Sequence, residues 1–256
     1  MRYRARVEYD GTEFSGFQVQ PGRRTVQGEL ENVLARLNGG RRVRVVAAGR
    51  TDAGVHASGQ IVSFSYPGRL PQGELGRALA ALLPRDVAMG PLRRVPSGFR
   101  PRSAALRREY RYTIWNGPSS PLRERYALGI REALDVPAMA GAAAVLVGRH
   151  DFSAFGGEHR QTTRTLHGVR VRRTGRTITV DVTGDAFLRQ MVRSIVAALL
   201  RVGHGEATAD ELAAALRSPR QGRAFAGAIC PPHGLCLRRV VIGTASGRRN
   251  QTGRTQ

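Results

Sequence analysis

The chain contains no lysine, although arginine brings its basic side chains to 41 in 256 residues. A lysine amine is the nucleophile of Schiff-base enzymes, and it is also the phosphate ligand of P-loop and kinase sites. The absence of lysine therefore excludes these enzyme classes.

Cysteine is scarce as well, with Cys230 and Cys236 as the two copies, and no long apolar run is present. The spacing of these residues around His233 is not that of a zinc site, so we expect buried free thiols and no metal. The most apolar stretch, residues 187–202, is interrupted by arginine and glutamine. Residues 1–7 lack the apolar core of a signal peptide, so we expect a cytoplasmic protein that makes no membrane contact.

Positive charge is what the sequence has in excess, with a formal net charge of +22. The planar guanidinium group of arginine binds phosphate oxygens and stacks on bases, so nucleic acid is the partner that the composition favours. A genome biased toward arginine codons would produce the same excess on an ordinary protein surface. Composition alone does not separate these two explanations.

One carboxylate, Asp52, lies within the short glycine-containing segment Gly49–Ala57. The two glycines of this segment allow a tight loop with positive φ, or a close approach to a ligand. Its polar residues Arg50, Thr51 and His56 are suited to holding an ionised aspartate in a cleft, for attack on an electrophile or for proton transfer. The same residues are also ordinary turn chemistry, in which aspartate bonds to its own backbone. The loop by itself leaves both interpretations open.

Hydrophobic periodicity predicts the element order β-α-β-β-α-β twice along the chain. In the first half the predicted elements are a strand at 2–9, a helix at 26–37, strands around Val43 and Val45 and around Val62, Phe64 and Tyr66, a helix from Leu75 to Leu83 and a strand at 86–95. In the second half they are a strand around Tyr110, Tyr112 and Ile114, a helix at 136–148, a hairpin of 167–173 and 177–184, a helix at 186–202, a helix capped by Thr208 and Glu211, and a strand at 235–242.

This order predicts an α+β protein of two tandem lobes that resemble RRM or ferredoxin-like folds. Each lobe is expected to have an antiparallel sheet with helices on one face, and a cleft should separate the lobes. We place the N-terminal lobe at 1–100, the C-terminal lobe at 101–245 and a disordered tail at 246–256. The loop of Asp52 would join the two central strands of the first lobe, a common position for a functional site.

Six short motifs follow one another along the chain. They are Tyr9–Gln20, Gly49–Ala57, Tyr110–Tyr112, Gly148–Phe152, Met191–Ile195 and Pro232–Leu235. Together they resemble the TruA-type tRNA pseudouridine synthases. One such motif is weak evidence, but six in the family's order, from residue 3 to about residue 242, cover nearly the whole chain.

The resemblance implies an isomerase that cleaves the N-glycosidic bond of selected uridines, rotates the base and rejoins it through C5 to C1′, without a cofactor. It implies that Asp52 is the nucleophile, attacking either C1′ of the ribose or C6 of the base. It further implies that Tyr110 stacks on the target uracil, that Arg193 pairs with Asp52, and that Arg50 fills the space left by the flipped base. The implied substrate is the anticodon stem-loop of tRNA around positions 38 to 40, bound across the two subunits of a homodimer.

These residue types suit that chemistry. Flipping a uridine out of a stem costs a few kcal/mol, and stacking on an aromatic ring such as that of Tyr110 returns about 1–3 kcal/mol. Burial opposes the ionisation of an aspartate, whereas a neighbouring arginine favours the ionised form and keeps its own charge.

Two other functions remain open at the level of the sequence. A non-catalytic RNA-binding protein with two RRM-like lobes would account for the charge and the fold, but it predicts RNP-type aromatic motifs, which we do not find. A hydrolase of N-glycosidic bonds would account for Asp52 and the arginines, and it would release free uracil.

Overall fold

The computed structural model describes residues 1–156, 161–218, 222 and 228–243. The strands of this part are β1 (Arg2–Tyr9), β2 (Val45–Ala47), β3 (His56–Ser65), β4 (Val87–Met89), β5 (Arg93–Arg94), β6 (Ala105–Asn116), β7 (Leu128–Ile130), β8 (Gly148–Asp151), β9 (Thr163–Thr174), β10 (Thr177–Gly184) and β11 (Leu235–Ile242). The helices are α1 (Val26–Arg36), α2 (Gln72–Leu82), α3 (Pro101–Ala104), α4 (Pro121–Glu124), α5 (Val136–Ala144), α6 (Met191–Gly203) and α7 (Ala209–Arg217). The tail predicted at 246–256 lies outside the described residues.

Side-chain caps explain where several helices begin. The Thr25 side chain accepts a hydrogen bond from the Gly28 N–H at the start of α1, and Asp135 caps α5 in the same way. Thr208 and Glu211 form the predicted capping box at the start of α7. Local sequence therefore determines these three helix starts.

Three predicted elements are shorter than expected. Helix α5 ends at Ala144 rather than at residue 148, because the chain turns into β8 at Gly148, where φ is +116°. Helix α6 begins only at Met191, because Gln190 adopts a left-handed conformation with φ of 64°. The strand predicted at 86–95 is divided into β4 and β5, which pair with different parts of β1.

One sheet of 11 strands runs through both halves of the described chain, with the main order β4-β1-β3-β11-β6-β10-β9-β8. The α+β class is thus confirmed, and the main strands within each half pair antiparallel as predicted, but they form one continuous sheet rather than one sheet in each lobe. Strand β11 lies between β6 and β3 and pairs in parallel with β3, with Cys236 opposite His56 and Leu237 opposite Ala57. This pairing makes the two halves continuous.

Within each half the strands pair in the same order, β4-β1-β3-β2 in the first and β11-β6-β10-β9 in the second. The helices on one face, the cleft between the lobes and the lobe boundaries at 1–100 and 101–245 stay predictions.

The hydrophobic core extends across the sheet into both halves. Alternate residues of β1 and of β10 are buried, as strand periodicity requires. Helix α6 is buried along nearly its whole length and packs against α5 and β6. This packing places α6 against the strand that carries Tyr110. No helix in the described part of the chain is long and apolar enough to cross a membrane.

Candidate active site

The loop between β2 and β3, which carries Asp52, is held from the first half by buried hydrogen bonds. The Thr51 and Tyr9 hydroxyls lie 2.7 Å apart, and the Gly11 N–H donates to Nδ1 of His56 over 3.0 Å. Nε2 of His56 lies 3.1 Å from the His233 carbonyl oxygen. Burial lowers the pKa of His56, so a neutral ring that accepts at Nδ1 and donates at Nε2 fits both contacts. In these contacts Thr51 and His56 shape the loop rather than hold the Asp52 carboxylate.

Two glycines permit this tight arrangement. Gly54 has a φ of +75°, and a Cβ there would lie 2.7 Å from Cγ of Pro232. A Cβ at Gly11 would lie only 2.1 Å from the Val55 carbonyl oxygen. Of the two glycines singled out in the loop, the structure requires glycine at position 54. At position 49 a Cβ would make only an ordinary contact, 3.6 Å from Nε of Arg108.

The Asp52 carboxylate faces two arginines of the second half. Its Oδ2 lies 3.9 Å from Nη1 of Arg193, and its Oδ1 lies 4.0 Å from Nε of Arg189. The side chain of Asp52 is 32% exposed, that of Arg193 13% and that of Arg189 73%. One oxygen therefore faces a mostly buried cation and the other a cation that is largely exposed to solvent.

Arg189 was not predicted as a site residue from the sequence, where it stood out only as a polar interruption of an apolar stretch. Its place two residues before the Met191–Ile195 motif is the signal in the sequence, and that signal alone does not bring it to Asp52.

Arg193 is fixed by the segment that follows α7. Its Nε donates to the Cys230 carbonyl oxygen over 2.6 Å, and the Cys230 N–H donates back to the Arg193 carbonyl over 3.3 Å. The Tyr112 hydroxyl donates to the Pro231 carbonyl over 2.8 Å. Burial raises the pKa of the Cys230 thiol to about 12, so it stays protonated. Both cysteines are free thiols, but only Cys230 is buried as predicted, and Cys236 is partly exposed.

Tyr110 lies on β6 beside the same loop. It is 9% exposed, and its ring packs edge-on against Phe187 with centroids 5.0 Å apart. Burial raises the pKa of Tyr110 to about 12, against the opposing effect of Arg108 and with a smaller contribution from Asp52. The phenol is therefore neutral at physiological pH.

Arg50, the fourth residue singled out from the sequence, is exposed on the loop. Among the described residues, the arginines that lie within 4.0 Å of the Asp52 carboxylate are Arg189 and Arg193, and Arg50 is not one of them. Its role stays a prediction.

Asp10 is a second carboxylate of interest, and the sequence did not mark it as a site residue. Its Oδ1 accepts hydrogen bonds from Thr12, and its Oδ2 accepts from Arg125 and from the Tyr126 hydroxyl. Burial opposes ionisation, but these hydrogen bonds outweigh it and hold the pKa of Asp10 well below its usual range. Oδ1 also lies 3.1 Å from Nδ1 of His56, a contact that becomes an ion pair only when that ring is protonated. Asp10 thus ties the first motif to the segment after β6.

Among the described residues, no three His, Cys, Asp or Glu side chains cluster closely enough to hold a metal ion. The chemistry available at Asp52 is that of a carboxylate flanked by guanidinium groups and a neutral phenol.

Comparison with known proteins identifies the family of this chain. A family model described as tRNA pseudouridine synthase matches residues 5–101 and 142–241. The chain belongs to the tRNA pseudouridine synthase family. The family resemblance inferred from the six motifs is thereby confirmed, and with it an isomerase activity.

Curated members of the tRNA pseudouridine synthase family are similar over almost the whole chain. The chain is 42% identical to tRNA pseudouridine synthase A of Shouchella clausii, over 94% of each sequence. It is 45% identical to the protein of that name from Frankia casuarinae, over 93% of this chain and 88% of the relative. It is 44% identical to the one from Solidesulfovibrio magneticus, over 94% and 91%. Asp52, Arg189 and Arg193 lie within the segments that match the family model, and Tyr110 lies between them.

Proposed function

We propose that this protein isomerises uridine to pseudouridine in the anticodon stem-loop of tRNA, around positions 38 to 40, with Asp52 as the nucleophile. The observation that supports this most directly is the contact of the partly exposed Asp52 carboxylate with Arg189 and Arg193. The reaction is cleavage of the N-glycosidic bond, rotation of the base and formation of a C5–C1′ bond, and it needs no cofactor.

The two arginines support the role of Asp52 as a nucleophile. A carboxylate attacks only when it is ionised, and the two guanidinium groups place a positive charge beside each oxygen of Asp52. Because Arg193 is mostly buried and Arg189 is mostly exposed, Oδ1 is the oxygen that is more easily freed for attack. Attack at C1′ of the ribose and attack at C6 of the base both fit this arrangement.

Tyr110 and Arg50 serve the flipped nucleotide in this proposal. The ring of Tyr110 stacks on the target uracil, and its neutral hydroxyl offers a hydrogen-bond donor rather than a base at physiological pH. Arg50 is exposed next to Asp52, which suits a side chain that enters the duplex and fills the space left by the base.

The partner and the assembly are proposals of the same kind. A net charge of +22 carried by arginine suits a polyanionic substrate with exposed bases, and the curated relatives are named for tRNA. We propose that the chain acts in the cytoplasm as a homodimer, with the cleft between residues 1–100 and 101–245 of each subunit contributing to one tRNA-binding surface.

A single incubation tests the function against its alternatives. The protein is mixed with a tRNA transcript labelled in uridine, and the products are scored for pseudouridine and for free uracil. We expect pseudouridine at positions 38 to 40, and none there in a control transcript with cytidine at these positions. Free uracil would instead identify a hydrolase, and binding without either product would identify a non-catalytic RNA-binding protein.

A further inference from the structure

A buried arginine, Arg108, lies beneath the site and takes no part in the proposed chemistry. Arg108 is 8% exposed, and it lies on the same face of β6 as Tyr110. Its guanidinium donates to the main-chain carbonyl oxygens of Ala48 over 2.8 Å, Arg102 over 3.3 Å and Asp185. Burial lowers the pKa of Arg108, although an arginine stays charged at any physiological pH.

Two of these carbonyls belong to the segments that carry the site. Ala48 directly precedes the loop of Asp52, and a Cβ on the next residue, Gly49, would lie 3.6 Å from Nε of Arg108. Asp185 begins the turn that leads to Arg189 and Arg193. Arg108 thus joins a first-half segment to a second-half segment, each at the point where it enters the site.

The chemistry of the guanidinium explains why arginine suits this position. It presents five N–H donors in one rigid plane, so it can bind several carbonyl oxygens that lie in different directions. A lysine amine is a compact point charge on a flexible stem and does not reproduce this geometry. A cation is costly to bury, and here the carbonyl dipoles of three segments replace its water.

We propose that Arg108 is a positioning residue, which sets the distance between Asp52 and the Arg189–Arg193 segment by bridging the Ala48 and Asp185 carbonyls. The inference rests on the proposed function, because it assigns Asp52 to catalysis. In this role Arg108 does not contact the substrate, since both of its terminal nitrogens donate to main-chain carbonyl oxygens.

The test compares Arg108→Lys and Arg108→Gln with a matched control, Arg107→Gln. Arg107 is the adjacent residue of β6, points to the opposite face and forms an exposed ion pair with Glu109. We expect single-turnover pseudouridine formation to fall at least about tenfold in both Arg108 variants, because misplacement of reacting groups by about 1 Å costs up to about a hundredfold. The affinity for tRNA should change little, and Arg107→Gln should keep its rate.

Two further measurements separate positioning from a merely structural role. Without RNA, the backbone amides of residues 49–55 should exchange hydrogen faster in Arg108→Gln than in Arg107→Gln. In Arg108→Ala, added guanidinium ion should restore the rate by occupying the vacated space. Wild-type rates in a folded Arg108→Gln protein, or equal amide exchange in the two glutamine variants, would overturn the proposal.

The proposal stays testable if the variants do not fold. In the wild-type protein the guanidinium protons of Arg108 should exchange slowly with solvent, and fast exchange would refute the bridge. If the wild-type protein forms no pseudouridine, the proposed function fails, whereas the exchange measurements still decide whether Arg108 orders the loop.

Discussion

Arg193 reaches Asp52 with one terminal nitrogen, Nη1, 3.9 Å from Oδ2, while its Nε donates to the Cys230 carbonyl over 2.6 Å. The guanidinium is therefore shared between a carboxylate and a main-chain carbonyl, and it does not form the two-pronged ion pair that is common between arginine and aspartate. It places a positive charge beside Asp52 and also fixes the segment that begins at Cys230.

The first prediction concerns the two parts of this contact. Arg193→Lys keeps the charge but loses the Nε donor, so we expect the activity of the folded protein to fall about tenfold. Arg193→Met should lose more activity, because the Asp52 carboxylate also loses its mostly buried cation. The measurement is the single-turnover rate of pseudouridine formation in both variants. Arg201→Met, at the far end of α6, is the control. Wild-type rates in both variants would show that the ion pair has no role.

The second prediction is that Asp52→Asn and Asp52→Ala abolish pseudouridine formation while tRNA affinity stays within about tenfold, because affinity depends mainly on phosphate contacts. Product formation is followed over many hours at saturating enzyme. Asp86→Asn, which breaks an exposed ion pair with Arg24, is the control and should remain active. Turnover above a few per cent in either Asp52 variant would be incompatible with its role as nucleophile.

The third prediction separates the ring of Tyr110 from its hydroxyl. Tyr110→Phe keeps the packing against Phe187 and the stacking surface, so binding of the flipped base should be retained. Tyr110→Ala should lose that binding and also about 3–5 kcal/mol of stability, because it leaves a cavity in the core. Affinity for an anticodon stem-loop and the unfolding midpoint are measured for both. Equal losses would mean that the hydroxyl carries the role.

The fourth prediction is a loss of stability at alkaline pH. Burial raises the pKa of Tyr110 and that of Cys230 to about 12 in the folded protein, above their values in an unfolded chain. The folded state then holds these protons more tightly, so its extra stability is complete at neutral pH and is lost as pH rises toward 12. Urea unfolding at pH 9, 10 and 11 should show a falling free energy, with a smaller fall in Tyr110→Phe. Identical slopes in the two proteins would contradict the assignment to Tyr110.

The fifth prediction concerns the net charge of +22. If the arginines contact tRNA phosphates, the logarithm of the binding constant should fall with the logarithm of the salt concentration by several units, at about 0.7–0.9 per phosphate. Arg189→Gln should reduce this slope by about one contact, because Arg189 is largely exposed beside Asp52. Arg77→Gln, an exposed residue of α2, is the control. A slope near −1 for the wild-type protein would mean that most of the charge does not face the RNA.

Local chemistry made much of the fold predictable. The periodicity of α1 and the capping box at Thr208 depend on neighbouring residues, and both are present as predicted. The parallel pairing of His56 with Cys236 has no such local signal. Two residues on each strand establish it, and they are distant in the sequence, so the single sheet could not be derived from periodicity.

The candidate site shows the same division. Asp52 was a candidate because small and polar residues surround it in the sequence, although the loop alone left both interpretations open. Arg189 was not, because its position near Asp52 depends on the left-handed backbone of Gln190 and on packing between the halves. Arg108 is one of 41 arginines, and only its burial and its three carbonyl partners set it apart.

The parallel pairing of β3 with β11 bears on how the enzyme is made. A ribosome releases the N-terminal half first, and that half contains the Asp52 loop but not the strand that flanks it. The segment that fixes Arg193 and contacts Gly54 and His56 is made only after strands β1 to β10. A nascent chain therefore carries the Asp52 loop long before Arg193 and the segment from Cys230 to His233 are in place beside it.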